Sequence, residues 1–185
     1  MVKLIVEIAM ELENIASVKP APDYEYFFNS FHPEANDQVT CTSCREEHPK
    51  VVSFNQQDEH ELSGSRGSAN FVWRCGNCKV SISSLFYADM QREQSCSFTP
   101  VGKDKSTAPL PYTSDSGALQ PLVALDCRGL EVTKFHFRGK WVAETEGGKE
   151  MECDFDEGED RWDDYDEDGG VPVSVSEMRS EVKRG

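Results

Sequence analysis

The sequence predicts a mainly β protein: antiparallel β sheets in two packed halves, with a zinc-ribbon-like four-cysteine site and few short helices. Three observations carry that expectation. Val2, Leu4, Val6, Ile8, Met10 and Leu12 alternate with positions that include Lys3, Glu7 and Glu11, the period of two that a half-buried strand requires. Two Cys-x2-Cys pairs, Cys41-Thr42-Ser43-Cys44 and Cys75-Gly76-Asn77-Cys78, stand 30 residues apart. Elsewhere, short β-branched and aromatic runs recur between Pro, Gly, Asn and Asp residues, and strand signals outnumber helix signals.

Taken in order, the strand over 2–12 gives way to a connection over 13–20, where Pro20 and Pro22 disfavour a helix. Tyr24, Tyr26, Phe27, Phe28 and Phe31 form a second strand that feeds an aromatic core. The polar stretch 32–40, with Pro33 and Asn36-Asp37, leads as a loop into the first cysteine pair. A short strand over 51–54 and a polar connection over 56–61 precede Ser63-Gly64-Ser65-Arg66-Gly67-Ser68-Ala69-Asn70. The glycines there suit an ordered turn that positions the second pair, and the spacing of a phosphate-binding P-loop is absent. Phe71 and Trp73 enter the second pair as one strand, while Val80, Ile82, Leu85 and Phe86 leave it as another.

The stretch 101–120, rich in Pro, Gly, Ser and Thr, reads as a long loop joining two β halves of a single domain that spans 1–175. Strands follow over 121–127, from Val132 through Phe135 and Phe137, and over 140–143, with a turn at Arg128-Gly129-Leu130. Val171, Val173 and Val175 alternate as a last strand, and 176–185 is expected as a flexible tail.

With 185 residues, the chain can bury roughly 70% of its unfolded surface on folding, so a core forms without covalent staples. A formal charge of -15 opposes the phosphate neutralisation that nucleic-acid binding needs, and no nucleic-acid partner is expected. No apolar run approaches the roughly 20 residues of a membrane span, and residues 1–10 alternate instead of building a signal-peptide core. No membrane association is expected, and the localisation is read as cytoplasmic. Cys96, Cys127 and Cys153 bring the cysteine count to 7; as small buried thiols they fit a reducing compartment.

Each Cys-x2-Cys turn places two sulfurs on one side of the backbone, so two such turns can enclose one tetrahedral Zn²⁺ through Cys41, Cys44, Cys75 and Cys78. Arg45 and Lys79 directly follow the second cysteine of each pair and offset the charge of a thiolate cluster. Two other uses of the same cysteines stay open: a redox or metal-transfer site, and disulfides. An odd cysteine count and the polar turns around both pairs weigh against them. A four-cysteine sphere leaves no open position for a catalytic water, and His32, His48, His60 and His136 show no catalytic or metal spacing among themselves. No enzyme activity is expected.

Residues 150–168 carry 12 carboxylates against the single Arg161, a composition that favours a solvated surface or a mobile segment. Trp162 and Tyr165 lie inside this run, so the strip is expected to dock, either on its own domain or on a basic partner. Trp162, Asp163, Asp164, Tyr165 and Asp166, together with Arg66 and Arg128 in their turns, are the candidate partner-binding residues.

Several segments then line up with one family. Leu12-Glu13-Asn14-Ile15 with Lys19-Pro20, the two cysteine pairs, Gly64-Ser65-Arg66-Gly67-Ser68-Ala69, Pro111-Tyr112, Cys127-Arg128-Gly129-Leu130-Glu131 and residues 162–167 together resemble the eukaryotic CXXC-motif-containing zinc-binding proteins over most of the chain. That resemblance implies one structural zinc ion at Cys41, Cys44, Cys75 and Cys78 on a mainly β fold. It also implies a non-catalytic adaptor or co-chaperone. Such a helper acts beside a zinc-finger chaperone in folding and releasing the alpha subunit of translation elongation factor 1, and an association with the copper chaperone of superoxide dismutase is also attached to the family. The alternative expectation is a thiol or metal-transfer protein linked to copper and zinc homeostasis. The chain departs from the family pattern in a longer insert over 29–40, in Thr-Ser within the first cysteine pair, and in an extended acidic C-terminal region.

Overall fold

The computed structural model describes residues 2–28, 40–45, 52–63, 66–75, 93–101, 105–113, 116–156 and 158–185. Among these, every regular element is a strand, and every ladder is antiparallel. The expected short helices are therefore not found among the described residues, which also contain no helix long and apolar enough to cross a membrane.

The alternating N-terminal segment forms β1 (Val2–Glu13), whose Leu4, Val6, Ile8 and Met10 are buried. It pairs on one side with β10 (Gln120–Arg128) and on the other with β16 (Val171–Arg184). Beyond β16 lies β15 (Trp162–Asp166); beyond β10 lie β9 (Gln94–Thr99) and β8 (Phe71–Trp73). Together they make a six-stranded sheet of order β15-β16-β1-β10-β9-β8. The 101–120 loop does not divide the sheets in chain order, because β1 precedes it and both partners of β1 follow it.

Residues 176–185, expected as a flexible tail, instead continue β16, with Val182 opposite Val6 and Arg184 opposite Leu4. The cause is a period of two concealed by charge: Ser176, Met178, Ser180 and Val182 are half-buried while Glu177, Arg179, Glu181 and Lys183 are exposed. Lys183 Nζ reaches Glu7 at 2.6 Å.

The expected connection over 13–20 is also a strand. Asn14, at φ +56°, turns the chain directly from β1 into β2 (Ile15–Pro20); asparagine enters this left-handed region more readily than most residues. β2 pairs with β13 (Gly139–Thr145), which pairs with β14 (Glu150–Phe155). The acidic run is thus built into the fold through β14 and β15, with Cys153, Phe155 and Asp166 buried beneath its exposed carboxylates. Burial pushes the Cys153 thiol up to about 12, so it stays neutral.

A third sheet orders β12 (Phe135–His136), β3 (Tyr26–Phe28) and β5 (Val52–Phe54). The core is aromatic at its centre. Phe135 lies 6.4, 6.2 and 5.9 Å from the rings of Tyr24, Tyr26 and Phe28, and 6.3 Å from Trp141. Phe54 stacks between Phe28 and Phe71, at 5.1 and 5.3 Å, and so joins this core to the strand that precedes Cys75. The expected strand through Val80, Ile82, Leu85 and Phe86 lies outside the described residues, as do Phe31, most of the 29–40 insert and Cys78.

Candidate metal centre

The first cysteine pair is held by the strand that follows β10. Cys41, in β4 (Thr40–Cys41), lies opposite Leu130 of β11 (Leu130–Glu131), and Thr42 N–H donates to Gly129 O at 3.0 Å. Arg45 N–H donates back to Cys41 O at 2.9 Å, with Arg45 at φ +61°, which closes the turn and points Cys44 toward Cys75. The second pair begins just after β8, the strand that pairs with β9. Cysteines far apart in sequence therefore meet because β9 pairs with both β8 and β10.

The Sγ atoms of Cys41, Cys44 and Cys75 all lie within 4.8 Å of one another, and Cys44 and Cys75 are 3.4 Å apart. Zinc–sulfur bonds of about 2.3 Å in a tetrahedron put sulfurs about 3.8 Å apart, so the three thiols fit a zinc ion. Cys41 and Cys75 are buried and Cys44 is half-buried. Cys78, the fourth ligand that the spacing predicts, lies outside the described residues.

Three polar side chains that sequence reasoning missed surround this cluster. Gln94, itself only 4% exposed, accepts from Cys75 N–H at 3.0 Å through Oε1 and donates from Nε2 to Cys41 Sγ at 3.5 Å. Glu131 lies 3.9 Å from Arg45 and 3.0 Å from Arg184, which links the first cysteine turn to the end of β16. Glu93 accepts from Ser63 Oγ at 2.7 Å, from Ser63 N–H at 2.6 Å and from Arg74. The Ser63 hydroxyl, Arg74 and the Ser63 amide hold the Glu93 carboxyl at about 2, well below the usual range. No periodicity marks these residues, since Gln and Glu are ordinarily surface types. Cys127-Arg128-Gly129-Leu130-Glu131 was visible as a motif, although its role in gripping the first pair was not.

The candidate partner residues do not share one surface. Arg128 is exposed at the metal end, where Ser95 is its cross-strand partner, and Arg66 is exposed on the hairpin of β6 (His60–Glu61) and β7 (Ser68–Ala69). Residues 162–166 lie along β15, paired with the part of β16 that faces Glu11, Leu12 and Glu13 of β1. Trp162 is partly buried against the core, Asp163 and Asp164 are exposed, and Tyr165 is 52% exposed.

Asp166 is unsuited to contact a partner. It is 2% exposed, its Oδ1 accepts from Asp168 N–H at 3.1 Å, and Lys149 Nζ lies 3.3 Å away. Burial alone would raise its carboxyl, but hydrogen bonds from Gly169 N–H, Lys149 and Asp168 N–H outweigh that and hold it below the usual range. Asp166 clamps the β15–β16 turn and, through Lys149, the neighbouring β13–β14 turn.

The profile of a family described as CXXC motif containing zinc binding protein, eukaryotic, matches residues 5–183. A UPF0587 protein of Schizosaccharomyces pombe is 30% identical over 184 residues, covering 98% of each chain. A human protein named CXXC motif containing zinc binding protein is 26% identical over 178 residues, covering 95% of this chain and 94% of its own. The solved structure named Crystal Structure of C1orf123 superposes with a TM-score of 0.76 at 25% identity over 99% of both chains. A hypothetical protein from Plasmodium falciparum gives a TM-score of 0.75 at 20% identity over 99% of this chain and 100% of its own, a likeness of fold.

Proposed function

The chain belongs to the eukaryotic family of CXXC motif containing zinc binding proteins, and from that premise we propose that it is a non-catalytic adaptor whose zinc ion holds a β scaffold for binding other proteins. The observation that carries this reading is the position of the cysteine cluster. Its sulfurs come from the turn at 41–44, gripped by β11, and from Cys75 just after β8, which pairs with β9, with Cys41 and Cys75 buried. A thiolate-filled sphere in that position secures the junction between strands and leaves no position for a water nucleophile.

The partner reading follows the family resemblance: a co-chaperone acting with a zinc-finger chaperone on the alpha subunit of elongation factor 1. Exposed Asp163, Asp164 and Tyr165 on β15 support electrostatic capture of a basic surface. Asp163→Lys with Asp164→Lys keeps charge on an edge strand, where either sign deters unwanted pairing, and reverses the field there, at the cost of the exposed Arg161–Asp163 ion pair. Capture of the chaperone and elongation-factor complex should fall and lose its salt sensitivity; undiminished capture rules out this interface.

Partial exposure of Cys44 favours one rival, a thiol or metal-transfer protein. Native mass spectrometry and thermal unfolding with and without chelator separate the two readings. A scaffold holds one zinc per chain and unfolds at a lower temperature without it, whereas a transfer site exchanges metal with the fold intact.

A further inference from the structure

Gln94 is a buried amide between Cys75 and the first cysteine turn, and its orientation is fixed by its partners. The Cys75 amide can only donate, so the Gln94 atom facing it, at 3.0 Å, is the carbonyl oxygen. The Nε2 group is thereby directed at Cys41 Sγ, 3.5 Å away. A neutral thiol is a weak acceptor for this donor, whereas a thiolate, whether free or bound to metal, is a strong one. One side chain thus ties the Cys75 backbone to the sulfur of the first cysteine turn.

Its surroundings leave little freedom to turn away. Gln94 opens β9 opposite Trp73, and a Cβ placed on Gly129 would stand 3.0 Å from Gln94 Cγ. Gly129 also supplies the carbonyl that accepts from Thr42 N–H. The segment gripping the first cysteine turn is therefore the same one that confines Gln94.

We propose that Gln94 is a positioning residue for the zinc site: its amide joins Cys75 to the first cysteine turn and donates to the Cys41 sulfur, making zinc retention tighter and release slower. This inference rests on the reading of the cysteine cluster as a zinc site that secures the fold. The donated hydrogen bond holds the Cys41 sulfur in its place beside Cys75 and restrains the turn that carries it. Partners of metal ligands typically change metal affinity by about 10–100-fold when removed.

The test uses the full chain. Gln94→Met preserves length and volume but removes both hydrogen bonds. Gln94→Glu preserves the acceptor for Cys75 N–H but replaces the donor facing Cys41 with negative charge. Zinc affinity, measured by competition with a chromophoric chelator, should fall about 10–100-fold in both variants, with faster release to excess chelator. Affinity and release rate in Gln94→Glu matching those of the native chain would overturn the proposal, because packing and the Cys75 contact would then suffice. A second measurement needs no variant. In the native chain loaded with ¹¹³Cd, the Gln94 amide protons should show scalar coupling to the metal through Cys41 Sγ, a signature that packing alone does not produce. Absence of that coupling overturns the assigned donor. Zinc stoichiometry and the chelator-induced loss of thermal stability in the native chain test the structural-zinc reading separately, and either can succeed while this inference fails.

Discussion

Side-chain chemistry at the metal end turns on residues whose types reveal little by themselves. Glu93 is one: three donors from Ser63 and Arg74 hold its carboxyl at about 2. For a depressed carboxylate, the stabilising contribution is present above the ordinary value of about 4.3 and is lost as pH falls toward the folded-state value. In carbon-13 spectra of the carboxyl groups, Glu93 should therefore remain ionised at pH 4, while exposed glutamates titrate around that pH; titration together with them would show that the Ser63–Arg74 clamp is absent in solution. Gly129 is another. Its φ of +73° and the 3.0 Å that would separate an added Cβ from Gln94 Cγ predict that Gly129→Ala loses about 1–2 kcal/mol from backbone strain alone and weakens zinc binding by displacing Gln94. A denaturant midpoint and zinc affinity equal to those of the native chain would contradict this. The cysteines were legible because metal ligation leaves a spacing in sequence. Gln94, Glu93 and Glu131 were not, because the groups they act on lie 19 or more residues away in sequence.

At the scale of elements, the strands easiest to read were those with uninterrupted apolar alternation, such as β1 and the start of β16. Strands went unseen where one face is charged or the inward residues are small or polar. β9 buries Gln94, Ser95 and Cys96 in succession, and the second half of β16 turns only Met178 and Val182 inward among its apolar residues. The acidic strands were concealed for a related reason. β14 and β15 are both sheet edges, where charged side chains block pairing with other chains, so a composition typical of solvated segments is also that of a protected edge. The C-terminal part of β16 offers the clearest check. It covers one side of β1 from Leu4 to Ala9, and Arg184 reaches Glu131 beside the first cysteine turn. A chain ending at residue 175 would expose that edge together with the surface under Met178 and Val182. Loss of cooperative unfolding, or a melting temperature lowered by well over 5 °C, is the expected outcome; native-like melting would mean that this strand contributes little.

Across the whole molecule, β1 acts as a ruler. Its first residues lie opposite Cys127 and Arg184 at the metal end, and its last lie opposite Ser174 and Val175, beside β15. A strand of 12 residues, with a rise of about 3.3 Å from each to the next, places these ends about 36 Å apart. The order that creates this polarity, with β1 between β10 and β16, is set by contacts more than 100 residues apart in sequence and leaves no local pattern to read. Arg45, Arg128 and Arg184 gather near the cysteines, while Asp163, Asp164, Glu167 and Asp168 occupy the opposite end. Zinc should therefore stabilise the molecule unevenly. The metal joins the turns at 41–44 and 75 to β9 and β11, whereas the far end has its own fastening in Asp166, Lys149 and the bond from Asn14 Nδ2 to Pro172 O at 2.7 Å. Local openings with separate free energies are expected where fastenings are independent. Zinc removal under native conditions should accelerate amide hydrogen exchange first at residues 41–45, 73–75, 94–96 and 128–131. Residues 162–166 and 171–175 should keep most of their protection until global unfolding. Equal acceleration at both ends would show instead that the metal holds the six-stranded sheet as one cooperative unit.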